Sequence, residues 1–128
     1  MKGYIGNIEK ETKENNDYRR VLYTAKNSQL VIMSIKPGDE IGEEIHKLDQ
    51  FIRIEDGKAK AIMDGVEHLL EDDYAIVIPA GMSHNIINIG TINLKLYSIY
   101  SPPEHKHRTV HKTKIDEKEE HFDGETSE

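Results

Sequence analysis

The 128 residues include no cysteine, and that absence removes several kinds of chemistry at once. Disulfides, thiolate metal sites and a cysteine nucleophile are all excluded. Long apolar runs are also missing: nothing approaches the roughly 18 residues that a transmembrane helix needs. The N-terminal MKGYIGNIEK lacks the apolar stretch of a secretory signal, so export is not expected. Basic charge is scarce, with 17 Lys and Arg against 24 Asp and Glu and a net charge of −7. Nucleic-acid phosphates demand a basic face, so DNA and RNA are poor partners. The expectation is one soluble, cytoplasmic domain with a modest core and no membrane partner.

The acidic charge is concentrated at one end. Residues 115–128 carry seven acids against Lys118, which accounts for −6 of the net −7. Just before them, Lys106, Arg108, Lys112 and Lys114 alternate with His105, His107 and His111. Charge runs of this kind usually solvate, so 104–128 reads as a charged extension, basic and then acidic. Two alternatives stay open. The basic and acidic halves could pair, or Ser101-Pro102-Pro103 could turn the chain back and bring His105 or His111 into a pocket.

Ahead of the extension the pattern is β almost throughout. Alternation is clearest over 91–100, where Ile92, Leu94 and Leu96 oppose Asn93, Lys95 and Tyr97. Further strands are expected over 19–26, 29–36, 51–55, 58–63, 67–70, 74–79 and 85–89. Pro37-Gly38, Asp56-Gly57, Asp64-Gly65 and Pro79-Ala80-Gly81 punctuate them. Asp64-Gly65 suits a two-residue hairpin, because a type I′ turn needs positive φ at both central positions. Short strands with this punctuation predict a sandwich or barrel. Helix is expected only at 8–15 and at 116–121 within the acidic tail.

Four side chains stand at the ends of apolar strand faces. Glu44 and His46, two apart, share a face on an extended strand. Gln50 shares one with Ile52 and Ile54, and His84 shares one with Ile86 and Asn88. A barrel mouth places residues in this way, with polar groups at the rim and aliphatic packing below. Asp49 alternates to the other side and ranks below Gln50 as a donor. Arg53 also alternates away, and no arginine clamp is evident. His68 reads as surface, and Asn88 as a residue that satisfies backbone groups.

Gly38, Glu44, His46, Gln50 and Gly57, and then Asp73, Pro79, Gly81, His84 and Asn88, fall at the spacings of the two motifs of the cupin superfamily. The chain resembles small single-domain, conserved-barrel cupins, including mannose-6-phosphate isomerase-like members. The resemblance implies an all-β fold, a jelly-roll (double-stranded β-helix) barrel over 1–103 with its N-terminal strands, followed by the extension 104–128. Position by position, it implies that a divalent metal is held by His46, His84, Gln50 and Glu44. Glu44 stands where such cupins usually have a histidine, and Gln50 where they have a glutamate. Two histidines and one carboxylate suit Fe, with Mn, Ni or Zn as alternatives, and a neutral amide oxygen weakens the set. Asp73 replaces the glycine that opens the second motif, a turn position that Asp tolerates.

Fold does not fix function. The first reading is a metal-dependent cupin acting on a sugar-like or enediol molecule, isomerase- or dioxygenase-like, in which Glu44, if it is not ligated, can act as a general base. The second is a non-catalytic sensor or carrier with weak or no metal, and whether the chain is an enzyme stays open. A third is a structural unit, marked by a barrel plugged with Met33, Tyr97 or Tyr100. Open sheet edges and apolar faces point to a homodimer.

Overall fold

The computed structural model describes residues 1–118 and 120–128. Each expected strand segment forms a strand: β1 Arg19–Thr24, β2 Gln29–Ile35, β3 Asp49–Asp56, β4 Ala59–Met63, β5 Val66–Leu70, β6 Ala75–Ile78, β7 His84–Asn88 and β8 Leu94–Ser101. A ninth, β9 Val110–His111, lies inside the extension. The strands pair antiparallel into two sheets, ordered β6-β3-β8-β2-β1-β9 and β5-β4-β7. The sheets close around one apolar core as a jelly-roll barrel. No helix among the described residues is long and apolar enough to cross a membrane.

The core follows directly from alternation. Ile52 and Ile54 from β3, Leu94 and Leu96 from β8, and Val31, Met33 and Ile35 from β2 are all buried. Ala59 and Ala61 on β4 and Ile86 on β7 meet them from the smaller sheet. The hairpin between β4 and β5 is made by Asp64 and Gly65 at φ 48° and 80°, both positive as a type I′ turn requires. Asp73 takes the left-handed conformation at φ 71°, so the turn survives without its glycine.

One expected helix forms and the other does not. α1 spans Ile8–Glu14, and the Asn7 side chain caps it by accepting from the Lys10 amide at 3.1 Å. Seven residues make too short a helix to stand alone. The buried Lys95 anchors its C-terminal end, donating to the Asn15 carbonyl, to Asn16 Oδ1 at 3.1 Å and to Ser34 Oγ at 3.0 Å. Within 116–121 there is no α-helix among the described residues, and Glu119 lies outside them. A 3-10 turn at Lys114–Asp116 precedes irregular chain. Asp116 accepts from Thr113 and Glu117 pairs with Arg19 of the barrel, so neither has the i, i+4 partner that holds an exposed helix.

The extension is not simply solvated. β9 pairs with Arg19 and Arg20 of β1, the Phe122 amide donates to the Glu104 carbonyl, and the Ser127 amide donates to the Thr24 carbonyl. Gln29, fully inside, brackets His105 by donating to its carbonyl at 2.7 Å and accepting from its amide at 2.9 Å. His111 is buried. The chain therefore turns back after Ser101 and runs across the open end of the barrel.

Asn88 is the internal brace for the loop that follows β7. Its Nδ2 donates to the Ile35 and Ile92 carbonyls at 2.8 and 2.9 Å, and its Oδ1 accepts from the Gly90 amide at 2.9 Å. Asn88→Ala leaves these buried backbone groups without partners. It is expected to cost about 2–3 kcal/mol in urea denaturation, with the slope of the transition unchanged.

Candidate functional site

The segment after Gly38 runs alongside β7 as an irregular fourth strand of the smaller sheet. Ile41 N donates to the Ile86 carbonyl at 2.9 Å, and Glu44 and His84 exchange backbone hydrogen bonds at 2.9 and 3.0 Å. The Gly81 amide donates to the His46 carbonyl at 2.8 Å, tying the two motif segments together. This register sets Glu44, His46 and His84 at one end of the barrel. Gln50, at the start of β3, lies on the same inner face as Ile52 and is 4% exposed. Asp49 points away and accepts from the Ala80 amide, so it stays outside the set.

His46 is the charge at the centre of this mouth. Its Nε2 lies 3.1 Å from Glu44 Oε2, and its Nδ1 lies 3.6 Å from Glu104 Oε2, a residue of the extension. Burial works against a charged ring, but the hydrogen bond to Glu44 and the charges of Glu44 and Glu104 outweigh it. The His46 pKa is therefore raised. Burial also pushes Glu44 toward neutrality; the His46 bond and the nearby positive charges of His46 and Arg19 reverse this and lower its pKa. The two shifts support one another, and the hydrogen-bonded pair spans the mouth.

His84 is arranged differently. Its Nδ1 sits 3.0 Å from the Met82 carbonyl, which can only accept, so Nδ1 carries the proton and Nε2 the lone pair. A ligating histidine is usually held in this way, by a backbone carbonyl at its other nitrogen. The His46 and His84 rings are 5.3 Å apart, centroid to centroid. Gln50 donates to Ser98 Oγ at 3.3 Å, while its buried Oε1 has no partner.

These donors fit a divalent cation in type. Two donors about 2.1 Å from one ion and at right angles to each other stand about 3 Å apart, the separation of Glu44 Oε2 from His46 Nε2. The set is not drawn tight, however. Among the described residues, the His/acid group with three ligand atoms mutually within 4.8 Å is His107, Asp123 and Glu125, out on the extension. At the mouth, a proton lies between His46 and Glu44, where a cation has to displace it.

Beside Glu44 and His46 opens a cavity of about 760 Å³, whose lining does not include His84 or Gln50. The barrel contributes Arg19, Glu44, His46 and Lys47 to its lining, and the extension contributes Glu104 and His105 among others. Met33 and Tyr100 are buried and fill the barrel below, yet the mouth stays open, and Tyr97 lies on the outer side beside Phe51. His105 packs edge-on against Tyr100 at 5.2 Å. Burial, then the positive charges of Arg19 and His46, push its pKa down to about 2, so the ring is neutral.

Arg19, Glu104 and His105 are site residues that strand alternation alone did not isolate. Arg19 left a usable signal: it shares its face with the buried Val21 at the start of β1. His68 is exposed and Arg53 pairs with Glu55 and Asp73 on the outside, as alternation implied.

A closed barrel with two histidines and a glutamate at its rim is the architecture of a cupin, and residues 31–100 match the cupin domain model. The chain belongs to that family. YrkC, an uncharacterized protein of Bacillus subtilis (strain 168), is 48% identical over 122 residues, covering 90% of this chain and 66% of its own. The chain spans about two thirds of the curated relatives it matches, 66% and 67%. The crystal structure of BH2720 from Bacillus halodurans superposes with a TM-score of 0.88 at 48% identity, over 90% of this chain and 92% of that one. KdgF from Halomonas sp. shares the fold, with a TM-score of 0.62 at 19% identity over 66% and 76% of the two chains.

The neutral His105 makes the fold sensitive to acid. Its folded pKa is depressed, so below its ordinary value of 6.5 the unfolded chain takes up a proton that the folded chain refuses. Stability should fall by up to about 1.4 kcal/mol per pH unit. His46 has the opposite shift, and its contribution is already complete below that value, so it does not mask the slope. Urea unfolding of wild type and His105→Asn, each at pH 6.5 and 5.0, should differ in its pH-dependent loss by about 2 kcal/mol. Equal losses in the two proteins contradict a neutral, enclosed His105.

Proposed function

We propose that this cupin binds a divalent transition metal at the barrel mouth through His46, His84, Gln50 and Glu44, and acts there on a small polar molecule. The observation that carries the reading is a pairing: a histidine, His84, already held in the ligating tautomer, and a buried amide oxygen, Gln50 Oε1, without a partner. A polar group buried without a hydrogen bond calls for an explanation, and a bound cation supplies one. Fe, Mn, Ni and Zn all suit two nitrogens, a carboxylate and an amide oxygen.

A divalent ion in such a site polarises a bound hydroxyl or carbonyl oxygen. The protein's own part is to orient and to move protons. Glu44 is held ionised by its surroundings. Where it is not itself a ligand, and once freed from His46, it can take a proton from a carbon or hydroxyl next to a polarised oxygen, as a sugar-like or enediol substrate requires. The extension lines one wall of the mouth. Isomerase- and dioxygenase-like outcomes both use this arrangement, and likeness to mannose-6-phosphate isomerase rests on the motifs alone. A cytoplasmic homodimer belongs to the same proposal. In support of the dimer, the outer face of the larger sheet leaves Val77 and Ile99 exposed beside Phe51.

The second reading is a metal-free binding protein. It is favoured by His46, both of whose ring nitrogens face carboxylates. Elemental analysis of untagged protein separates the two. About one equivalent of Fe, Mn, Ni or Zn is expected in wild type, and His84→Ala should lose it with its melting temperature little changed. Equal metal in wild type and variant overturns the site. No metal in wild type after incubation with Fe(II) or Mn(II) supports the binding-protein reading.

A further inference from the structure

Arg19 is an unusual residue to find inside a barrel. It is 3% exposed and lines the mouth cavity next to Glu44 and His46. One nitrogen carries its polar contacts: Nη1 donates to Glu117 Oε2 at 2.6 Å and to His111 Nδ1 at 3.3 Å. Its Nε is buried and has no hydrogen-bond partner. Nη2 makes no hydrogen bond among the described residues either. Nε and Nη2 form one straight edge of the guanidinium, with two parallel N–H groups spaced to match the two oxygens of a carboxylate.

A buried cation whose Nε has no partner is costly unless something fills that donor. The neighbours on the barrel do not. Glu44 is engaged by His46, and Glu104 by His46 and by His121 at 3.0 Å. Glu117, from the extension, holds the far side of the guanidinium and leaves the free edge alone. The cavity that Arg19 lines has room for a molecule of several carbons.

We infer that the ligand of this mouth is a small carboxylate-bearing molecule, a hydroxy acid, whose carboxylate pairs with the Arg19 guanidinium. The assignment rests on the mouth being the working site, as proposed above, and it names the class of ligand. Phosphate is the weaker candidate. The same cavity is lined by Glu43, Glu44, Glu104, Glu117 and Glu120, which repel a dianion more than a monoanion. Arg19 thus selects an acid over the matching neutral polyol. Glu117 is a positioning residue, which turns the guanidinium and competes weakly for its charge.

The test compares three probes by calorimetry: gluconate, its uncharged alditol sorbitol, and inorganic phosphate. Metal content is measured on the same samples. Wild type should bind gluconate at least about 30-fold more tightly than sorbitol, a preference of about 2 kcal/mol, and more tightly than phosphate. Arg19→Gln should erase the preference. Because Arg19 is buried, the conservative Arg19→Lys and the partner variant Glu117→Gln accompany it. Lysine keeps the charge but loses the fork and should lose most of the preference. Glu117→Gln changes a residue at the surface of the extension, removes the competing carboxylate, and should strengthen gluconate binding severalfold. Equal binding of gluconate and sorbitol by wild type, tighter binding of phosphate, or a Glu117→Gln variant that binds gluconate no better, overturns the inference. If metal is absent but the Arg19-dependent preference persists, the metal reading fails and this one stands. If metal is bound but there is no preference, the reverse holds.

Discussion

The mouth of this barrel is organised around a single positive ring, His46, held between Glu44 on one side and Glu104 on the other. The two carboxylates come from different parts of the chain. Glu44 precedes β3 by a few residues, whereas Glu104 follows the last long strand, beyond Ser101-Pro102-Pro103. The charge on His46 therefore joins barrel to extension. It offsets two acids that would otherwise repel one another in a partly desolvated space. The neutral His105 and the buried Tyr100 crowd the same corner. Burial keeps the Tyr100 hydroxyl protonated well beyond its ordinary range.

That arrangement is what gives the barrel a chemistry. A jelly roll fills its lower interior with aliphatic side chains, here Ile52, Ile54, Leu94 and Leu96. The polar side chains of the candidate site gather toward the open end instead. Glu44, His46 and His84 gather there because the segment after Gly38 pairs with β7, not because they are near one another in sequence. The extension then walls the opening with acids and histidines and sets Glu117 against Arg19. Without it, the mouth would be a shallow rim, and Arg19 would have neither its acid partner nor its enclosure.

Much of this was legible in the sequence. Period-2 alternation located eight strands, and turn chemistry explained Asp64, Gly65 and Asp73 before their φ values were known. The same alternation put Gln50 inside and Asp49 and Arg53 outside. The extension was harder to read. Its contacts are single hydrogen bonds and ion pairs with distant residues, and β9 is two residues long, so no periodic pattern announces it. Polar composition alone reads as solvated chain, and only the turn-back at the prolines hinted otherwise. Arg19 was hidden for a related reason: in Arg19-Arg20 one arginine faces in and the other out, and charge averages conceal the difference. The helix expected at 116–121 is absent among the described residues: Asp116 turns back to Thr113, and Glu117 reaches Arg19 on the barrel.

The central claim is that His46 carries a proton between two carboxylates, at the place where a cation would displace it. Nitrogen-15 NMR of the His46 ring tests this most directly, first in metal-free protein across pH and then with one equivalent of Zn(II). The account predicts a doubly protonated ring with a midpoint above the ordinary 6.5. With zinc it predicts that Nε2 gives up its proton and moves to the frequency of a metal-bound nitrogen. A midpoint at or below 6.5, or a ring that zinc leaves unchanged, would contradict it.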